Sequence, residues 1–208
     1  FIKRAIAYLK IAKVEWIVIL GVLVLDLFSK FLVEKLMTEY QSVTLIPNFL
    51  YFTFVYNDKA AFGSAFGLEK VLGAVGIRVM FLIVTAVALG FFFVFLYKFK
   101  RGHILAKLSL ALIIAGALGN FWDRLFIGKV RDFVEIVYFG LDLPLLGKSF
   151  AIFNIADVAL TVGVILFAVY FIFKYKPNKT DFVGPIKAEE ITENFENAEN
   201  IDNAENTD

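Results

Sequence analysis

The chain has 208 residues, 60% of them hydrophobic, and a mean hydropathy of +0.75; an ordinary soluble domain holds roughly 45 to 50% apolar residues, so a water-soluble globular fold is not expected. With no Cys and a single His, His103, the sequence excludes disulfides, thiolate nucleophiles and Cys-type zinc sites and leaves little room for histidine triads. A formal net charge of +1 conceals a basic body set against an acidic tail, and no nucleic-acid partner is indicated.

Residues 1 to 15 place Lys3, Arg4, Lys10 and Lys13 among apolar side chains, a basic amphipathic lead-in to a membrane helix. Residues 16 to about 37 are enough to cross roughly 30 Å of hydrocarbon at about 1.5 Å per residue, although Asp26, Lys30 and Glu34 interrupt the run. Residues 38 to 70 change character: Pro47-Asn48, then alternation from Phe49 to Tyr56, then a Gly/Ala/Ser-rich stretch from 60 to 67. Short strands and a loop are the natural reading. A second span covers residues 71 to 97 and stops at Lys98, Lys100, Arg101 and Gly102. A third covers 104 to 118 and breaks at Gly119-Asn120 into a mixed segment reaching Asn154; a fourth covers 155 to 173.

Lys and Arg number four each in residues 1 to 15, 98 to 107 and 174 to 187, against two in 38 to 70 and four in 121 to 154. Twelve against six puts both termini in the cytoplasm and the two long loops, 38 to 70 and 121 to 154, on the outer side. The expected organisation is a lead-in (1–15), a four-helix membrane domain (16–176) and a tail (177–208). The tail is acidic and Asn-rich, with a triplet register from Glu193 onward, and holds too little apolar surface to fold alone. It is expected to be disordered and cytoplasmic.

An ionisable residue inside a span costs roughly 2.5 to 3.5 kcal/mol, so each needs a reason. Asp26 and Lys30, four apart on one helical face, read either as an internal ion pair or as functional groups. Arg78, near the start of the second span, is expected to snorkel to the interface. The run Gly116-Ala117-Leu118-Gly119 lets another backbone approach closely, but packing gives no reason for Asn120, Asp123 and Arg124 beside it. Asp132 lies in a hydrophobic stretch, and Asn154 and Asp157 share a face where the last helix begins. There Asn154 suits an N-cap with Asp157 at the third position, yet a carboxylate one turn into a membrane helix must face protein or a wet cavity. Two outward carboxylates such as Asp132 and Asp157 suggest a pair sharing one proton and activating water without a metal or cofactor. On spacing alone Asp123 and Asp26 compete for membership.

Five ordered motifs resemble those of the lipoprotein signal peptidase (signal peptidase II) family of membrane aspartyl proteases. Asp26-Leu27-Phe28-Ser29-Lys30 is similar to D-x-x-[ST]-K, and Asn57 through Ala60-Ala61-Phe62-Gly63 to N-x-G-A-A-F, with Lys59 where the family has Gly. Asn120 to Arg124 is similar to G-N-x-x-D-R, Val130 to Phe133 to V-x-D-F, and Phe153 to Asp157 to F-N-x-A-D. The resemblance implies a catalytic dyad of Asp132 and Asp157. It implies that Asn57, Asn120, Arg124 and Asn154 line the site, with Asp26 and Asp123 in support. The implied fold is four transmembrane helices with a small outer β-cradle, to which the segment from Phe49 to Tyr56 would contribute. The implied substrate is a diacylglyceryl-modified prolipoprotein, cut before the lipidated Cys by a monomeric enzyme of the bacterial cytoplasmic membrane, in contact with lipid. The main rival is a small ion- or proton-coupled transporter subunit using Asp26, Lys30 and Asp157. A structural membrane subunit and a metal-dependent lipid-modifying enzyme are the others.

Overall fold

The computed structural model describes residues 13–57, 69–98, 103–139 and 149–173, without the side chains of 69–72 and 74. The lead-in from 1 to 12, the motif positions 58 to 63 and the tail from 177 to 208 lie outside the described residues. Among the described residues four helices are long and apolar enough to cross a membrane: α1 (Lys13–Leu36), α2 (Glu69–Lys98), α3 (Ile104–Phe126) and α4 (Ile155–Phe173). Their outer faces carry large apolar side chains that water would not tolerate in such number. Ile17 is 70% exposed, Val87 68% and Ile172 73%, so the natural solvent of these faces is lipid. α2 holds one non-helical residue, Gly73 (φ 64, ψ 176), a conformation that glycine reaches without a Cβ clash.

The central helix is α3, which packs on each of the other three. Its small residues let α4 approach closely. A Cβ at Gly116 would meet the Ala156 carbonyl oxygen and lie 2.8 Å from the Leu160 nitrogen, and one at Gly163 would lie 2.8 Å from the Ser109 carbonyl oxygen. The close approach inferred from the small-residue run is therefore present, and it seats the first turn of α4 against α3.

One expectation needs correction. The third helix does not break at Gly119-Asn120; it continues two turns further, to Phe126. Asn120 and Asp123 face protein partners, so their polarity does not end the helix. Closure comes at Asp123, whose carbonyl accepts from the Ile127 and Gly128 nitrogens at 2.8 and 3.0 Å. Arg78, near the start of α2, reaches across to the end of α3. Its Nε and Nη2 donate to the Arg124 and Leu125 carbonyls, each at 2.8 Å, satisfying two acceptors in the last turn of α3.

An antiparallel sheet of β1 (Ser42–Ile46), β2 (Leu50–Asn57) and β3 (Val130–Ile136), in that order, lies where α1 and α3 finish and α4 begins. It is seated on α1 by Val33, Phe54 and Phe133. β2 coincides with the alternating segment. An irregularity between Phe52 and Val55 inserts one residue into β2, so that Val55 opposes Asp132 and Tyr56 opposes Arg131. Without it Phe54 would stand opposite Asp132 and Asn57 would fall beyond the strand.

Candidate active site

Asp132 sits on β3 and is 1% exposed; Asp157 sits in the first turn of α4. Asn154 lies between them. Its Nδ2 donates to Asp132 Oδ1 at 2.6 Å, while its backbone nitrogen donates to Asp157 Oδ2 at 3.1 Å and its Oδ1 accepts from the Asp157 nitrogen at 3.0 Å. The last two bonds form a reciprocal cap of the kind that opens helices. Asn154 is therefore an N-cap and a site residue at once.

The remaining carboxylate oxygens are also held. Asn57, at the end of β2, donates to Asp132 Oδ2 at 2.9 Å, and Asn120 Nδ2, on α3, donates to Asp157 Oδ1 at 2.7 Å. Asn120 Oδ1 accepts from Lys30 Nζ and from Asn154 Nδ2, each at 3.0 Å. An ammonium only donates, so Lys30 fixes which way the Asn120 amide faces and thereby aims its hydrogens at Asp157. In sequence Lys30 reads as the ion-pair partner of Asp26 or as a functional group, and the pair is present: 2.8 Å, with both side chains wholly buried. Asp26 Oδ1 in turn accepts from the Ala156 nitrogen at 2.9 Å, anchoring the start of α4 to α1.

Asp123 touches neither carboxylate of the pair among the described residues. It accepts from the Arg131 nitrogen, Nε and Nη2 at 3.0, 3.2 and 2.7 Å, a forked grip that fixes the residue next to Asp132. Arg124 makes a long 3.4 Å bond to the Asn120 carbonyl and lays its guanidinium 5.5 Å from the Phe81 ring centroid. Toward Asp157 and Asp132 it acts through space. The structure thus brings Asp132, Asp157, Asn57, Asn120 and Asn154 into one bonded cluster and sets Asp26, Asp123 and Arg124 around it. Motif reading missed Arg131, Tyr56 and Glu34. Only the four-residue spacing of Asp26, Lys30 and Glu34 along one face of α1 signals the last of these.

Burial pushes the Asp132 carboxyl up to about 7, and the like charge of Asp157 adds to it, against the downward pull of the Asn57 and Asn154 amides and of Lys30. Near neutrality such a group exchanges its proton readily. Asp157 also lines a cavity of about 320 Å³ with Ile136, Tyr138, Phe150, Phe153 and Val158, so an apolar chain carrying a polar bond has room beside the Asp157 carboxylate. Among the described residues no group of three or more His, Cys, Asp or Glu side chains is arranged to hold a metal ion.

Residues 18–173 match the family model described as signal peptidase (SPase) II. The lipoprotein signal peptidase of Staphylococcus carnosus is 38% identical over 160 residues, covering 77% of this chain and 91% of the relative. That of Listeria monocytogenes is 37% identical over 155 residues, covering 74% and 90%. A solved structure described as a bacterial membrane enzyme, obtained by the in meso method at 2.3 Å, superposes with a TM-score of 0.62 at 31% identity, covering 80% of this chain and 95% of its own.

Proposed function

The chain belongs to the signal peptidase II family of membrane proteases, and from that premise we propose that it removes the signal peptide from diacylglyceryl-modified prolipoproteins, cutting before the lipidated Cys. The observation that carries the reading is the bracing of the Asp132 and Asp157 carboxylates by one residue, Asn154, through its side-chain amide and its backbone nitrogen, with Asp157 on the wall of an apolar cavity.

Asp157, whose oxygens accept from two nitrogens, is the general base: it takes a proton from water as the water oxygen attacks the scissile carbonyl. Asp132 enters protonated and donates a hydrogen bond to the carbonyl oxygen where negative charge develops. When the C–N bond breaks, the dyad delivers a proton to the departing amine and is left with one shared proton, as it began. The Asn57 and Asn120 amides keep both carboxylates in place, and Arg124 limits the negative charge of the pair through space. The substrate's acyl chains remain in lipid, contributing about 0.8 kcal/mol per buried CH₂, so the peptide contacts need only orient the bond. The excess of Lys and Arg on the terminal side supports a site on the outer face of the cytoplasmic membrane with both termini inside, and the proposed enzyme acts as a monomer.

A transporter would need Asp26 and Lys30 open to an ion path, whereas both are wholly buried and paired with each other. The test is cleavage of a purified diacylglyceryl-modified prolipoprotein by the detergent-solubilised protein in EDTA. Wild type is expected to cut before the lipidated Cys, and Asp132→Asn and Asp157→Asn each to lose at least about 10³-fold in kcat. Retained turnover in either variant would sink the dyad; a folded wild type that cuts nothing would return weight to the transporter.

A further inference from the structure

Glu34 lies near the end of α1, one helical turn beyond Lys30, with a side chain 34% exposed, and the proposed chemistry does not use it. Its two oxygens are taken by different strands. Oε1 accepts from the Tyr56 hydroxyl on β2 at 2.7 Å, and Oε2 accepts from Arg131 Nη1 on β3 at 2.8 Å. Tyr56 and Arg131 are cross-strand partners, and each is the chain neighbour of a site residue, Asn57 and Asp132. The bond between those neighbours, Asn57 Nδ2 to Asp132 Oδ2, lies in the short paired stretch from Val55 to Asn57 that follows the inserted residue of β2. A bulge leaves its extra residue unpaired and interrupts the ladder locally, so a contact from outside the sheet helps to hold the strands together past it.

We propose that Glu34 is a positioning residue: by gripping Tyr56 and Arg131 at once it locks β2 and β3 in the register that sets Asn57 against Asp132. The carboxylate is suited to this because it accepts on two oxygens at a fixed spacing. Arg131 is held on its other side by Asp123, so Glu34 adds to an already fixed strand the missing restraint on β2. Tyr56 remains a donor at any working pH, since burial and the bond to Glu34 push its hydroxyl up to about 12. Along one face of α1, Asp26 thereby reaches α4, Lys30 reaches α3, and Glu34 reaches both strands.

This inference rests on the peptidase reading, and its test compares variants only after wild type has cleaved the lipidated prolipoprotein in the same assay. Glu34→Gln can accept from one of the two donors and turns its amide hydrogens toward the other. Its kcat is expected to fall about 10-fold to 100-fold with KM within twofold of wild type, as for a small misplacement of a reacting group. Tyr56→Phe, which removes one hydroxyl and fits the same space, is expected to lose about half as much on a logarithmic scale and to add little to Glu34→Gln in the double variant. The control is Glu135→Gln, which replaces the charged acceptor of the 2.6 Å Thr53–Glu135 bond elsewhere in the same sheet by a neutral, weaker one and should leave kcat unchanged. If Glu34→Gln and Tyr56→Phe lower only the melting temperature, or if Glu135→Gln costs as much kcat, Glu34 merely stiffens the sheet and the inference fails.

Discussion

The two carboxylates of the site are held in opposite ways. Asp157 is fixed largely by its own turn: Asn154, three residues earlier, exchanges two hydrogen bonds with it, and α3 adds one more through Asn120. Asp132 owes its place to residues 75 positions before it and 22 after it, Asn57 and Asn154, and to an arginine neighbour pinned by α1 and α3. A carboxylate on a helix N-terminus carries its own frame. One on a strand borrows its frame from elements that must all have docked, so distant changes should reach Asp132 sooner than Asp157.

The most damaging single change outside the dyad should be at the residue both halves share. Asn154→Ala removes the donor to Asp132 and the cap on Asp157 together, and kcat is expected to fall about 10³-fold. The comparison breaks if Asn154→Ala costs no more than the single-sided changes that follow. Asn57→Ala touches only the strand-held half. Here the sign is set by what the amide does: it pulls down a carboxyl that burial has pushed up to about 7, so its loss moves the value further up. The alkaline limb of the kcat profile, where the pair surrenders its last proton, should therefore shift to higher pH while kcat drops about 100-fold. A limb that stays put would mean that it reports some other group.

On the helix-held side, Lys30→Met keeps the length of the stem and deletes the charge that orients the Asn120 amide. About a 10-fold loss of kcat is expected, with a smaller displacement of the alkaline limb than in Asn57→Ala, because the Asn154 cap still frames Asp157. Lys30→Met also leaves Asp26 without its buried partner, so melting temperature must be read beside kcat. A variant that melts early but turns over normally per folded molecule would show that Lys30 serves the fold alone.

How much was legible in sequence follows the same division. The cap of Asn154 and Asp157 was visible because both partners fall within one helical turn, and the four spans because lipid demands long apolar runs. The pair Asp26–Lys30 and the close packing at Gly116 were visible for the same local reason. What was missed is non-local. β3 escaped because Val130 to Phe133 are buried in succession, Arg131 and Asp132 among them, so no alternation marks the strand. The end of α3 was misplaced because Asn120 and Asp123 read as polar loop residues until their partners on α1, β3 and α4 are in view. Glu34 and Arg78 carried no motif and gained meaning only from the carbonyls, hydroxyl and guanidinium that folding brings to them. Motif resemblance supplied the proposed dyad, but the bulge that sets Asn57 against Asp132 has no signature in the pattern.

The finest test of a self-framed Asp157 uses two glycines on the α3–α4 contact. At Gly163, six residues beyond Asp157, an added methyl meets the Ser109 carbonyl and the Ile113 nitrogen, at 2.8 and 2.9 Å, and backbone cannot turn aside as a side chain can. Gly163→Ala should cost about 1 to 3 kcal/mol of stability, seen as a lower melting temperature in detergent. Its kcat per folded molecule should stay within about twofold of wild type, since the first turn of α4 is still tied to Asp26 through the Ala156 nitrogen and closed by Asn154. At Gly116 the same methyl meets the Ala156 carbonyl itself, in the turn that carries Asp157. Gly116→Ala should then lower kcat as well as stability. Equal loss of kcat in the two variants would mean that Asp157 depends on the whole interface between α3 and α4, and that its turn frames it no better than the sheet frames Asp132.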